Sequence, residues 1–174
     1  MRGIHLVLLG LMGAGKTTLG LALAERLEAE FVDSDQGIFE LTGVSAAEIA
    51  SQNGVPYLHD LESSLVRGLL SLPTRSVIAA AASVVDDEAT RGEMSRHRCI
   101  WVEADSATLA ERREAGLHRR NMTDAEAEEL NRTRRLKAVD LVIGHVDTSD
   151  STVEQSAALA MSMLSEHHDR SEDS

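Results

Sequence analysis

Eight consecutive residues, Gly10, Leu11, Met12, Gly13, Ala14, Gly15, Lys16 and Thr17, complete the pattern G-x-x-x-x-G-K-[ST]. The pattern works only between a strand that delivers the chain and a helix that carries it away. Both are in the sequence: Ile4 to Leu9 reads as a buried strand, and Thr17 to Leu27 has helical periodicity. Glycines are required because the backbone must turn tightly enough to aim successive N–H groups at phosphate oxygens, and side chains would block the approach. Lys16 adds mobile positive charge for the β- and γ-phosphates, and Thr17 offers a hydroxyl ligand for Mg²⁺. The helix that starts there turns its positive dipole end to the same place. Gly13, Ala14, Gly15, Lys16, Thr17 and Thr18 are therefore the expected nucleotide contacts. A dinucleotide pattern G-x-G-x-x-G beginning at Gly13 fails at Thr18, which disfavours NAD.

Further short apolar runs follow at Phe31–Val32, Ser76–Ala79, Cys99–Val102 and Leu141–Ile143. They alternate with helical segments at Ser45–Gln52, Leu61–Leu70, Ser106–Glu114, Asp124–Lys137 and Val153–Leu164. Such alternation predicts an α/β chain with a parallel sheet covered by helices on both faces. Ser45 followed by Glu48 matches a capping box. The chain's 174 residues fit a single domain, taken as residues 1–165, and leave no room for a second. The last nine residues, from 166 to 174, carry four acids and no apolar side chain and read as a disordered, solvated tail.

Seventeen basic against twenty-nine acidic residues give a net charge of -12, which argues against nonspecific binding to nucleic acid or to an anionic membrane. Any anionic ligand must be held by a local cluster. Four aromatics are too few for a base-stacking surface. The single Cys99 excludes an internal disulfide and reads as a buried, inert thiol. Ile4 to Leu9 is too short for a signal segment or a membrane span, so a cytoplasmic location is expected. His5, His97, His118 and His145 have no metal-ligand spacing and are read as satisfied or surface histidines.

The loop leaves open a motor, a switch or a kinase; the small size and the lack of an N-K-x-D sequence favour a small kinase. Phe31, Val32, Asp33, Ser34 and Asp35 end the second strand in two acids. Ile38, Phe39, Glu40, Leu41, Thr42, Gly43, Val44, Ser45, Glu48 and Ile49 follow. With Gly20 after the loop, this combination resembles the shikimate kinase family over essentially the whole chain to about residue 164. The resemblance implies a P-loop NTPase-type, three-layer α/β/α fold with a five-stranded parallel sheet and a mobile lid at about residues 115–125. It also implies ATP and Mg²⁺, with Asp33 facing the metal together with Thr17, and Asp35 binding the acceptor hydroxyl and orienting or accepting its proton. Residues two apart on a strand share a face, so Asp33 and Asp35 can both point into the crevice. Arg120 falls on the lid arginine and is assigned to the ATP phosphates, with Arg119 as a possible substitute. Lys16, Asp35 and Arg120 are thus the expected catalytic set.

The acceptor half departs from the family pattern. Where the family has G-E-x-x-F-R-x-x-E, this chain has Gly54 to Glu62: Glu62 is kept, and His59 stands at the arginine that pairs with the shikimate carboxylate. A neutral imidazole lacks the charged, bidentate fork of arginine. The family's G-G-G-A-V reads Ala81, Ala82, Ser83, Val84, Val85, and each added Cβ occupies volume near the ligand. Arg132 is the candidate for the family's second carboxylate-binding arginine, with Arg134 and Arg135 also open; a plain alternative pairs Arg132 with Glu128 on one helix. The reading is an ATP-dependent kinase acting on a small hydroxylated acceptor, expected to be a monomer with no nucleic-acid or membrane partner. The alternative is a noncatalytic nucleotide-binding protein derived from a kinase.

Overall fold

Leu6, Val7, Leu8 and Leu9 are all buried, a continuous apolar run that only the middle of a sheet covered on both faces can accommodate. The computed structural model, which describes residues 3–115 and 124–172, places this strand there. Strand β1 (Leu6–Gly10) lies between β3 (Ser76–Ala81) and β4 (Arg98–Glu103). Beyond them lie β2 (Glu30–Asp33) and β5 (Val142–Asp147), giving the all-parallel order β2-β3-β1-β4-β5. The expected three-layer α/β/α architecture is the one observed. Among the described residues no helix is long and apolar enough to cross a membrane.

Alternate residues of the strands feed two cores. On one face Leu6, Leu8, Val77 and Ile100 pack with Leu19 and Leu23 of α1 (Lys16–Arg26) and with Ala157 and Ala160 of α8 (Val153–Glu172). On the other, Val7, Leu9, Ile78 and Trp101 meet Val66 and Leu70 of α4 (Val55–Leu70) and Met94 of α5 (Glu88–Met94). Each fully buried Leu or Ile contributes about 1.5–3 kcal/mol. A smaller cluster of Ile38, Ile49 and Leu58 joins α2 (Ser34–Thr42), α3 (Ala46–Asn53) and α4. Cys99 is buried, and that burial pushes its thiol pKa up to about 12, as an inert thiol requires.

Register puts the functional edge in one place. Gly10 lies beside Ala81, and Asp33 beside Ala79, so the loop, the acid and the end of β3 leave the sheet at the same carboxyl edge. A Cβ on Gly10 would overlap the Val102 carbonyl, whose carbon would lie at 3.2 Å, so the motif's first glycine serves strand packing.

Several elements differ from expectation. Asp35 lies in the first turn of α2, not on the strand, because Asp33 ends β2 and caps the helix with a side chain that accepts the Asp35 N–H. Helix α4 starts at Val55, six residues early, since Pro56 suits a first helical turn. A short 3-10 turn, Ala82–Asp86, and α5 follow β3. Helix α8 runs to Glu172, so much of the expected tail has helical backbone. The capping box at Ser45 and Glu48 forms as read. His5 and His97 are both buried against each other, with the His5 N–H donating to His97 Nδ1 at 3.2 Å; His118 lies outside the described residues.

Candidate active site

Helix α1 starts after Gly15, whose φ of 87° is left-handed, and no side chain caps it; α2, α3 and α5 are capped by Asp33, Ser45 and Asp87. The first N–H groups of a helix find no acceptor within it, so an uncapped start presents donors to whatever lies beyond. Here that is a cavity of about 410 Å³, which Gly13, Gly15, Lys16, Thr17 and Thr18 line. Gly13 also has φ 87°, a conformation that L side chains rarely adopt.

The loop's carbonyls are tied back. Lys16 Nζ donates to the carbonyls of Gly10 and Leu11 at 2.9 and 3.0 Å. Arg112, from α6 (Ser106–Ala115), donates to the Gly13 carbonyl at 3.1 Å and to Thr148 Oγ1 and carbonyl, each at 2.9 Å. The Thr148 hydroxyl in turn donates to the Ala14 carbonyl at 3.0 Å. With the acceptors turned away and satisfied, the donors are left for the cavity. Ala14 is the exception among the expected contacts: it is buried, does not line the cavity, and donates its own N–H to Leu11.

Thr17 Oγ1 donates to Asp33 Oδ2 at 2.7 Å, while Asp33 Oδ1 accepts the Asp35 N–H at 2.9 Å. One carboxylate thus caps α2 and sets a hydroxyl and a carboxylate oxygen side by side on the cavity wall. These are the hard oxygen donors that suit Mg²⁺. Asp35 and Ala81 line the same cavity. At its other end stand Arg112, Thr148, Ser151, Val153 and Ser156, none of which the sequence reading assigns to the site. Ser156 is buried and its Oγ has no hydrogen-bond partner among the described residues, a polar atom at the cavity wall that a polar ligand edge would satisfy. The polar run Asp147 to Thr152, directly after a strand's carboxyl end, is the signal that could have found this end.

The remaining predicted acceptor residues do not line that cavity. Glu62 and Ser83 are buried, with the Ser83 hydroxyl donating to the Glu62 carboxylate. Ala82 belongs to the apolar core, and His59 lies on α4 outside the lining. Arg132, on α7 (Asp124–Lys137), is exposed and holds both Glu129 oxygens at 2.9 and 2.8 Å; the partner three residues before it takes the place of the expected Glu128. It lines a second cavity of about 340 Å³ with Glu103, Asp105 and Asp147. Arg135 pairs with Glu103. Arg134 is the buried member of the cluster, and its Nε donates to Asp86 Oδ2 at 2.8 Å, while Lys137 donates to Asp86 Oδ1 at 2.6 Å. Arg119 and Arg120 lie outside the described residues.

The family model for shikimate kinase matches residues 12–165. A shikimate kinase of Rhodococcus erythropolis is 34% identical over 133 residues, covering 74% of this chain and 78% of that protein. One from Gloeobacter violaceus is 37% identical over 109 residues, 63% of this chain and 61% of that protein. The chain thus spans about three-fifths of the length of the first curated relatives it matches. A solved shikimate kinase from Acinetobacter baumannii, in complex with shikimate, superposes with a TM-score of 0.80 at 22% identity, covering 97% of this chain and 94% of that one.

Proposed function

The chain belongs to the shikimate kinase family, and on that basis we propose that it is an ATP-dependent phosphotransferase that moves the γ-phosphoryl group onto an alcohol of a small molecule. The observation that carries the reading is that the uncapped, tied-back loop and Asp35 share one cavity. A donor phosphate at the loop and an acceptor hydroxyl at Asp35 would meet there, and positioning and charge neutralisation supply most of the catalysis in this reaction class.

Lys16 leaves its two loop carbonyls for the phosphate oxygens, a charged acceptor in place of neutral ones. Thr17 and Asp33 would hold Mg²⁺, which supplies neutralisation of the β- and γ-phosphate charge. Asp35 orients the acceptor hydroxyl and takes its proton as the new O–P bond forms and the bond to the ADP oxygen breaks. Arg120 is proposed to approach the phosphates from the lid. Arg112, Thr148 and Ser156 are proposed to hold the base end of the nucleotide. Shikimate is the acceptor that the relatives' names suggest; His59, Ala81, Ala82 and Ser83 depart from the family pattern, and of these Ala81 lines the cavity.

Nucleotide binding and phosphoryl transfer, measured across a panel of cyclic polyols and hydroxy acids, test the reading. Lys16→Met is expected to abolish transfer and weaken ATP binding. Asp35→Asn is expected to bind ATP normally and lose about 10²–10⁴-fold in turnover. Normal turnover by Asp35→Asn would remove it from the chemistry. Tight ATP binding with no acceptor phosphorylated would identify a noncatalytic nucleotide-binding protein.

A further inference from the structure

Thr148 stands where three chain segments meet: the end of β5, which it directly follows, the loop after β1, and α6. It is 7% exposed, and its Oγ1, Cγ2 and Cβ lie 3.4, 3.5 and 3.7 Å from the place a Cβ on Gly15 would take. Its N–H donates to the Glu103 carbonyl at 2.9 Å, and its Oγ1 accepts from Arg112 Nη1 at 2.9 Å. The hydroxyl has a single proton and two carbonyls within reach, Ala14 at 3.0 Å and Glu103 at 3.3 Å. The Ala14 contact is the shorter, and the Glu103 oxygen already accepts the Thr148 N–H, so the proton goes to Ala14.

That bond fixes a direction. Among the described residues there are no cis peptide bonds, and across a planar trans peptide the carbonyl and the following N–H point opposite ways. Holding the Ala14 carbonyl against Thr148 therefore turns the Gly15 N–H toward the part of the cavity that Gly15, Lys16 and Thr17 line. Gly15 does not keep this orientation by itself. Its φ of 87° is a conformation that glycine populates about as readily as a negative φ, and a flip of the Ala14–Gly15 peptide would bring it to an ordinary negative value. The flipped peptide would aim a carbonyl oxygen at an incoming phosphate in place of a donor. The orientation has to be held from outside the loop, and the Thr148 hydroxyl is placed to hold it.

We propose that Thr148 is a positioning residue of the phosphate site: its hydroxyl holds the Ala14–Gly15 peptide with the N–H toward the bound phosphates and the oxygen away from them. The inference rests on the kinase reading above and deepens it at the phosphate end, a task separate from holding the base.

Inorganic tripolyphosphate with Mg²⁺ is the probe, since it can occupy the loop and carries no base. Thr148→Val keeps the shape and removes the hydroxyl, and is expected to weaken tripolyphosphate and ATP alike by about tenfold to a hundredfold, the worth of one charged hydrogen bond. Thr148→Ser returns the hydroxyl and is expected to bind both within about threefold of wild type, a rescue that a packing role would not give. Thermal unfolding establishes that each variant is folded. In the wild-type protein the Gly15 amide proton should move downfield in NMR spectra as tripolyphosphate is added, a readout that needs no variant. An unmoved Gly15 resonance overturns the inference. Tripolyphosphate affinity unchanged in folded Thr148→Val overturns it too, and if ATP affinity alone falls the hydroxyl serves the base instead; each of these leaves the kinase reading intact. The expected losses with no alcohol phosphorylated would uphold the task of Thr148 and remove the kinase reading.

Discussion

Phe31 of β2 occupies the space a side chain on Gly20 of α1 would need: a Cβ there would overlap the ring, with Cδ2 at only 2.9 Å. The contact sets how closely the helix that carries Lys16 and Thr17 lies against the strand that delivers Asp33. Gly20→Ala is therefore expected to destabilise the protein by about 1–3 kcal/mol, with overpacking outweighing alanine's better helix propensity. Gly68 in α4 has nothing within 4 Å of an added Cβ, so Gly68→Ala should gain about 0.5–1 kcal/mol. Urea unfolding of the pair decides it; equal effects would mean that the Phe31 ring yields freely.

Asp33 joins two tasks on separate oxygens, and substitution should part them. In Asp33→Asn an amide oxygen can still accept the Asp35 N–H and cap α2, so stability should change by less than about 1 kcal/mol. The other position loses its charge and, as an NH₂, faces Thr17 with a donor. The Mg²⁺ concentration for half-maximal transfer should rise at least about tenfold, the effect expected for loss of one charged ligand interaction. A Mg²⁺ titration unchanged from wild type would place the metal elsewhere.

Stability should fall steeply in acid through the turn after β3. Burial acts to raise the Asp86 carboxyl, but the hydrogen bonds from Lys137 and Arg134 and their charges hold it below its ordinary value. Asp87 is also lowered, chiefly by the hydrogen bond from the Thr90 hydroxyl. A carboxyl depressed in the folded state contributes stability that is complete above its unfolded pKa, about 3.9, and lost as pH falls through the folded value. Denaturant midpoints from pH 6 down to about pH 2.5 should therefore decline below the unfolded pKa, and Asp86→Asn should flatten part of that decline. A variant with the wild-type acid limb would show that other carboxylates carry it.

Much of this is legible in the chain itself, for local reasons. Residues 6–9 are apolar without interruption and stand directly before the loop motif, which announces a strand on one side and a helix on the other. What escapes a linear reading is what depends on distant partners. Helix α7 is so polar on every side that its period does not reveal that Arg134, not Arg132, turns inward; the acid that draws it in is 48 residues away. Arg112 reaches Gly13 across 99 residues, with no local pattern to mark it. Asp35 reads as a strand residue because the eye extends β2 by two positions, whereas the Asp33 side chain ends the strand by capping helix α2.

The sheet order β2-β3-β1-β4-β5 divides the cleft by chain segment as well as by space. The cavity lining on the Asp35 side comes from residues 33–81, and that on the Arg112 and Thr148 side from residues 112–156, with the loop after β1 between them. A substitution in either segment therefore acts first on its own end of the cleft. The two segments are nonetheless tied at one point, since Asp86 just past the end of the first is held by Arg134 and Lys137 of the second, so a change there is felt in α7 as well.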